Sequence, residues 1–369
     1  MQKLYEIKEK PKKAFLVSII TGGKNDEANC RELQGLCITL GLEIISHEKI
    51  RVREKSPRFG MGSGKAEELS QKAKEAQADL LVFDFNPSPS QQRNWEEITE
   101  LPVIDRQELI IKIFADRAVT REAELQVKLA ELMYFLPRLT HKYIDLSRQR
   151  GGRYGTKGTG ETKLETDRRK IESRIHQLEK EIEKIGKQRQ MQRSQRERSN
   201  IPVCAIVGYT NSGKSSLLNA LTGAGVLAED KLFATLDAVT RKFQAAAGVQ
   251  VLLTDTVGFI RNLPHSLIKA FRSTLEEASL SDILIHILDA SEPDIQNNYD
   301  TTIGVLKELN AREIPMITVL NKIDLLTENY DDRLEELKNQ FPGSIAVSVK
   351  NKTGLDELKE KIAVLSNIY

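Results

Sequence analysis

Gly208–Ser215, reading GYTNSGKS, limits what this chain can fold into more than any other stretch, because it follows the apolar run VCAIVG and leads into the helical pattern SSLLNALTG. A strand, a glycine-rich turn and a helix in that order make a phosphate-binding loop. Glycines at Gly208 and Gly213 let the main-chain N–H groups of Tyr209, Thr210, Asn211 and Ser212 approach an anion, while Lys214 supplies charge to β and γ phosphates. The Ser215 hydroxyl suits Mg²⁺. This loop alone does not separate ATP from GTP.

Two further motifs follow in order, and the second makes that choice. VLLTDTVGF ends a predicted strand on Asp255, followed by Thr256, Val257 and Gly258. An aspartate there holds Mg²⁺ through water, and the Gly258 N–H senses a γ-phosphate. The run Ile317–Leu320 then delivers Asn321, Lys322, Ile323 and Asp324 to the C-terminal edge of a parallel sheet, where ligands of α/β proteins bind. A carboxylate at Asp324 accepts from guanine N1 and N2. Adenine offers no such donor pair and would leave the buried charge unpaired. Ser348, Val349 and Lys350 follow the run SIAV and are placed to close over the base.

At 369 residues the chain exceeds what one core usually serves. From Phe15 to about Arg117, short apolar runs alternate with helical patterns: FLVSII, Glu27 to Leu40, LEIIS, Gly64 to Ala76, DLLVFDF, PVID and a helix from Arg106. That alternation predicts a parallel-sheet α/β domain over 1–117. Leu125, Leu129, Leu132, Leu136 and Leu139, and again Ile171, Ile175, Leu178, Ile182 and Ile185, recur at helical spacing on either side of the glycine-rich RQRGGRYGTKGTGETK. Two antiparallel helices with a loop at the tip are expected over 118–200, kinked at Pro137. A P-loop domain occupies 201–369.

Charge is uneven. The segment 138–200 carries 18 Lys and Arg against 9 Asp and Glu, so it holds +9 within a chain of net +2. Such asymmetry points to a local polyanion contact. The longest apolar runs are strand-sized, so no membrane span is expected, and the N-terminus does not read as a secretory signal. Cys30, Cys37 and Cys204 form no CxxC pair and are read as packing residues of a reducing compartment. Cytoplasm is the expected location, with peripheral membrane association left open, and a monomer is the expected state.

With these motifs in place, the chain resembles the Ras-like translational GTPases and, within them, the HflX family. FATLD, Phe233, Ala234, Thr235, Leu236 and Asp237, is similar to the family's first switch, which implies that Thr235 is a γ-phosphate-sensing Mg²⁺ ligand and, with Lys214 and Gly258, part of the catalytic set. KGTGETKLETDRRKI, Lys157–Ile171, resembles the family's glycine-rich linker signature. Lys163, the LDAVTR stretch and Val349 depart from the family pattern. The resemblance implies GTP hydrolysis and work on the large ribosomal subunit and its rRNA, splitting or rescuing stalled ribosomes under stress. Arg148, Arg150, Arg153 and Lys157, beside Tyr154, are then the candidate RNA contacts.

Phe259 stands where Ras-type enzymes carry a water-orienting glutamine. Slow intrinsic turnover and stimulation on the ribosome are expected. Asn211 occupies the position at which potassium-dependent GTPases carry an asparagine ligand, so K⁺ is a candidate cofactor beside Mg²⁺. Two competing functions are a regulatory module that uses GTP only as a switch, and an ATP-driven RNA remodeller using Gly60–Leu69, GMGSGKAEEL. That segment fails the phosphate-loop pattern at both ends and reads better as a turn and helix start.

Overall fold

In the computed structural model the described residues are all except 1–10, 21, 24–25, 53–55, 150–158, 198–200, 226–228, 230, 247, 262–263, 327–329 and 367–369. The chain packs as two compact units, Met1–Ile113 with Tyr134–Glu172, and Phe114–Met133 with Ser173–Tyr369.

The first unit is built from β1 (Lys13–Ile20), α1 (Asp26–Thr39), β2 (Glu43–Arg51), α2 (Ser63–Glu75), β3 (Leu80–Phe83), α3 (Pro89–Thr99), β4 (Val103–Asp105) and most of α4 (Arg106–Arg117). Its strands run in the order β2-β1-β3-β4, all parallel, as alternating strand and helix patterns predict. The periodicity had not announced α3. Its signal was local: Ser88 accepts from the Gln91 N–H, the Gln91 side chain returns to the Ser88 N–H, and Pro89 opens the helix. This helix delivers the fully buried Trp95, whose indole N–H donates to the Phe59 carbonyl at 3.0 Å and whose ring lies 5.0 Å from Phe83. Gly60–Leu69 forms a turn and the start of α2, and Lys65 there pairs with Glu68 at 2.8 Å.

Two long helices follow, α5 (Arg121–Gln149), which continues through Pro137, and α6 (Thr159–Glu197). The start of α5 meets the far half of α6, with Glu122 pairing to Arg189 at 2.6 Å and Arg121 to Glu181 at 3.6 Å. That pairing is antiparallel. Leu125 and Leu129 of one apolar stripe and Leu178 of the other are buried. The tip residues Arg150, Arg153 and Lys157 lie outside the described residues, and Arg148 falls in the last turn of α5. No described helix is long and apolar enough to cross a membrane.

The remaining elements are β5 (Val203–Gly208), α7 (Lys214–Thr222), β6 (Val239–Ala246), β7 (Val249–Asp255), α8 (His265–Ala270), α9 (Arg272–Ser279), β8 (Ile283–Asp289), α10 (Ile295–Glu308), β9 (Met316–Asn321), α11 (Tyr330–Gln340), β10 (Ile345–Ala346) and α12 (Leu355–Ser366). Their sheet has the order β10-β9-β8-β5-β7-β6, parallel except where β6 runs against β7. Cys204, Ile206, Leu253, Ile285 and Val319 fill its core, so the near-continuous apolar strands are those of a sheet covered on both faces. All three cysteines are buried free thiols, as their sequence setting suggests.

One core residue breaks the apolar pattern. His286 of β8 is fully buried, its ring lies 5.2 Å from Tyr299, and neither ring nitrogen has a hydrogen-bond partner. Burial pushes its pKa down from 6.5 to about 3. The unfolded chain therefore takes up a proton near 6.5 that the folded chain refuses, and stability falls as pH drops through that window. We expect a loss on the order of 1 kcal/mol per pH unit from 6.5 down toward about 3 from this group, removed in His286→Leu and read as the urea midpoint against pH.

Candidate functional site

Gly208 ends β5 between β7 and β8, so the loop after it opens at the C-terminal edge of the sheet. Gly213 caps α7 at φ 98, where a Cβ would lie 2.3 Å from the Asn321 amide nitrogen; a side chain is excluded by backbone and by space. Asn211 also takes a positive φ, 60, which asparagine tolerates. Lys214 is buried, and its ammonium donates to the Tyr209 carbonyl at 2.8 Å. Burial pushes its pKa down to about 8, with Asp255 opposing the shift.

Three oxygens from separate segments converge beside it. Ser215 Oγ lies 2.7 Å from Thr235 Oγ1 and donates to Asp255 Oδ2 at 2.6 Å. Asp255 Oδ1 is buried and has no hydrogen-bond partner. Burial pushes the Asp255 pKa up, against the nearby Lys214 charge. Two hydroxyls and a carboxylate with one oxygen unpartnered fit a hard divalent cation that prefers oxygen. No cluster of His, Cys, Asp and Glu that would suit another metal occurs among the described residues.

The segment after Asp255 is tied to the phosphate loop by its main chain. Thr210 N–H donates to the Phe259 carbonyl at 2.7 Å and Phe259 N–H to the Gly208 carbonyl at 3.1 Å. Thr256 Oγ1 donates to the Ile206 carbonyl at 2.7 Å. At Gly258 an added Cβ would stand 2.7 Å from Thr210 Cα, which holds its N–H against the loop. The Phe259 ring is 1 % exposed: the position that lacks a glutamine is a core position. Val257 is buried as well.

On the base side, Asn321 is the joint. Its amide donates to the Ser212 carbonyl at 2.9 Å and its oxygen accepts from the Val349 N–H at 3.3 Å, so one side chain ties the phosphate loop to the closing loop. Because Val349 contributes its main chain, its departure from the family pattern leaves that contact intact. Ser348 Oγ donates to Asp324 Oδ1 at 2.5 Å and orients the carboxylate. Lys322, at φ 63, pairs with Asp289 at 2.7 Å, and a 3-10 turn at Ile323–Leu325 follows. Lys350 lies beside this loop in sequence.

A cleft is lined by Thr210, Asn211, Lys214, Phe233, Ala234, Thr235, Thr256 and Gly258. Ser216, Glu229 and Lys231 also line it, and sequence motifs had not singled them out. Asp289 was missed for the same reason: it belongs to no contiguous pattern, only to the end of β8 beside Asn321. Leu236 is buried, whereas Asp237 turns away to residues 119–120.

A glycine-rich strand–loop–helix cradle, with an asparagine and an aspartate at the edge of the same parallel sheet, defines a P-loop guanine-nucleotide-binding protein. Residues 27–115 match the family described as GTP-binding GTPase N-terminal, 117–196 the GTP-binding GTPase middle region, and 203–322 the 50S ribosome-binding GTPase. The chain is 47% identical to GTPase HflX of Akkermansia muciniphila over 96% of its own length and 85% of that protein. It is 40% identical to GTPase HflX of Escherichia coli, over 94% and 80%. Among solved structures, the SsGBP complex with GDP superposes with a TM-score of 0.52 at 25% identity, covering 96% of this chain and 98% of that one. This chain belongs to the HflX family of GTPases, and its reaction is hydrolysis of GTP.

Proposed function

We propose that this GTPase binds the large ribosomal subunit and couples its nucleotide cycle to splitting or rescue of stalled ribosomes under stress. The observation that carries the ribosomal half is that the stretch holding the phosphate loop matches the family described as 50S ribosome-binding. Its setting is then the cytoplasm, where ribosomes are.

Within that reading Lys214 neutralises the β and γ phosphates, and Gly258 N–H meets the γ-phosphate. Asp324 reads guanine while Asn321 braces both loops. Ser215 and Thr235, with Asp255 acting through water, are the residues that would hold Mg²⁺, which would supply positive charge beside the phosphates. Phe259 offers no hydrogen bond to an attacking water, so turnover awaits a group ordered on the ribosome. Asn211 is the K⁺ candidate, and equal GTPase rates in K⁺ and Na⁺ would exclude that role.

Arg148, Arg150, Arg153 and Lys157 are the proposed rRNA contacts. Co-sedimentation with separated subunits tests the whole reading: the GTP form should pellet with the large subunit and the GDP form should leave it. Alanine at all four basic positions should weaken that binding and flatten its salt dependence, since fewer counterions are released. Equal binding in every nucleotide state would sink the coupling.

A further inference from the structure

The segment that carries Thr235 is gripped from outside the nucleotide-binding fold. Phe233, two residues before Thr235, sits at φ 55, a left-handed conformation that bulky side chains avoid, with its ring 2 % exposed. Its N–H donates to Thr210 Oγ1 at 2.8 Å. Against that ring stands Phe114 of α4, edge to face with centroids 4.7 Å apart; the Phe114 ring also meets Phe271 at 4.6 Å. Such aromatic contacts stabilise beyond the area they bury, and they oppose the backbone strain. Four residues before Phe233, Glu229 pairs with Arg117 at 2.7 Å.

Two residues after Thr235, the Asp237 carboxylate accepts from the N–H groups of Val119 and Thr120, each at 3.2 Å, and from the Thr120 hydroxyl. Thr120 caps α5, its Oγ1 accepting from Ala123 N–H at 3.2 Å. Asp237 therefore meets the positive end of a helix as well as three donors. Thr235 is thus held on both sides by one short stretch, while its own hydroxyl faces Ser215. Every group in this grip belongs to the second compact unit.

We propose that Phe114, Arg117 and Thr120 are positioning residues for GTP hydrolysis: by gripping Phe233, Glu229 and Asp237 they hold the first switch closed, with Thr235 turned to the metal and γ-phosphate. The proposal rests on the reading of Thr235 as the γ-phosphate-sensing residue. It follows that a G domain cut at residue 201 lacks part of what orders its own switch. GDP lacks the phosphate that Thr235 faces, so loosening the grip weakens GTP selectively.

The test uses the full chain. In Arg117→Met/Thr120→Val, the preference for a non-hydrolysable GTP analogue over GDP should fall about tenfold, from the loss of two charge-assisted contacts, Arg117 with Glu229 and the Thr120 hydroxyl with Asp237. KM for GTP and the Mg²⁺ requirement should rise together, while GDP affinity stays near wild type and the melting temperature without nucleotide falls only by what the lost α5 cap costs. Returning the hydroxyl alone, in Arg117→Met/Thr120→Ser, should recover the part of the loss that the Thr120–Asp237 bond carries, which a packing role would not. Thr235→Ala is measured alongside. If its GTP-to-GDP preference is unchanged, the reading of Thr235 fails and the proposal with it. If Thr235→Ala loses the preference but the double variant keeps it, the grip alone is overturned.

Discussion

Lys214→Ala should abolish tight GTP and GDP binding while leaving the protein folded. The ammonium lies in the cleft beside Asp255 and belongs to the loop that would enclose the β and γ phosphates. Removing one member of a buried charge pair costs about 2–5 kcal/mol, or roughly 30-fold to several thousand-fold in affinity. Stability should move the other way. Without nucleotide the burial of this cation disfavours its charged form, so the alanine protein should melt no lower than wild type. Calorimetric titration and a melting curve check both halves, and unchanged nucleotide affinity would sink the assignment of the phosphate site.

Asp324→Asn should shift the base preference from guanine toward xanthine. The carboxylate is already oriented by Ser348 Oγ at 2.5 Å, and an asparagine oxygen can accept that same bond, so the loop should keep its shape. What changes is the partner it can take: an amide offers a donor to the 2-oxo group of xanthine and loses one acceptor for the guanine N1 and N2 donors. Sites built on buried hydrogen bonds discriminate steeply, so GTP affinity should fall on the order of 100-fold while XTP affinity rises. Competition between XTP and GTP for a labelled nucleotide measures it. A wild-type order of preference would mean that NKID does not read the base.

Much of the fold was readable because its signals are local. The apolar runs at Phe15 and Leu80 become β1 and β3, since a strand covered on both faces must be apolar throughout, and the shorter run at Leu42 opens the partly buried edge strand β2. The helix α3 escaped because it carries little apolar periodicity and buries chiefly Trp95 and Thr99; its capping box at Ser88 and Gln91 was the available sign. Phe259 illustrates the opposite case. Sequence identifies the missing glutamine, and only the buried ring explains what stands there instead.

By itself the sequence named the residues proposed for the nucleotide site, because each motif is contiguous and legible from its spacing: glycines where main chain would meet phosphate, a lysine and serine at the start of α7, a carboxylate in the turn after β9. Tertiary structure decided how those pieces act together. Asn321 and Ser212 are 109 residues apart, and Thr120 and Asp237 are 117 apart. Residue types did not predict those meetings. The β9-β8-β5-β7 order brings the loops after β5, β7 and β9 to one edge, and the packing of Phe114 with Phe233 and Phe271 sets Thr120 beside Asp237. Contacts of that range depend on sheet order and on which apolar faces find each other, so they are properties of the whole packed unit and of no segment within it.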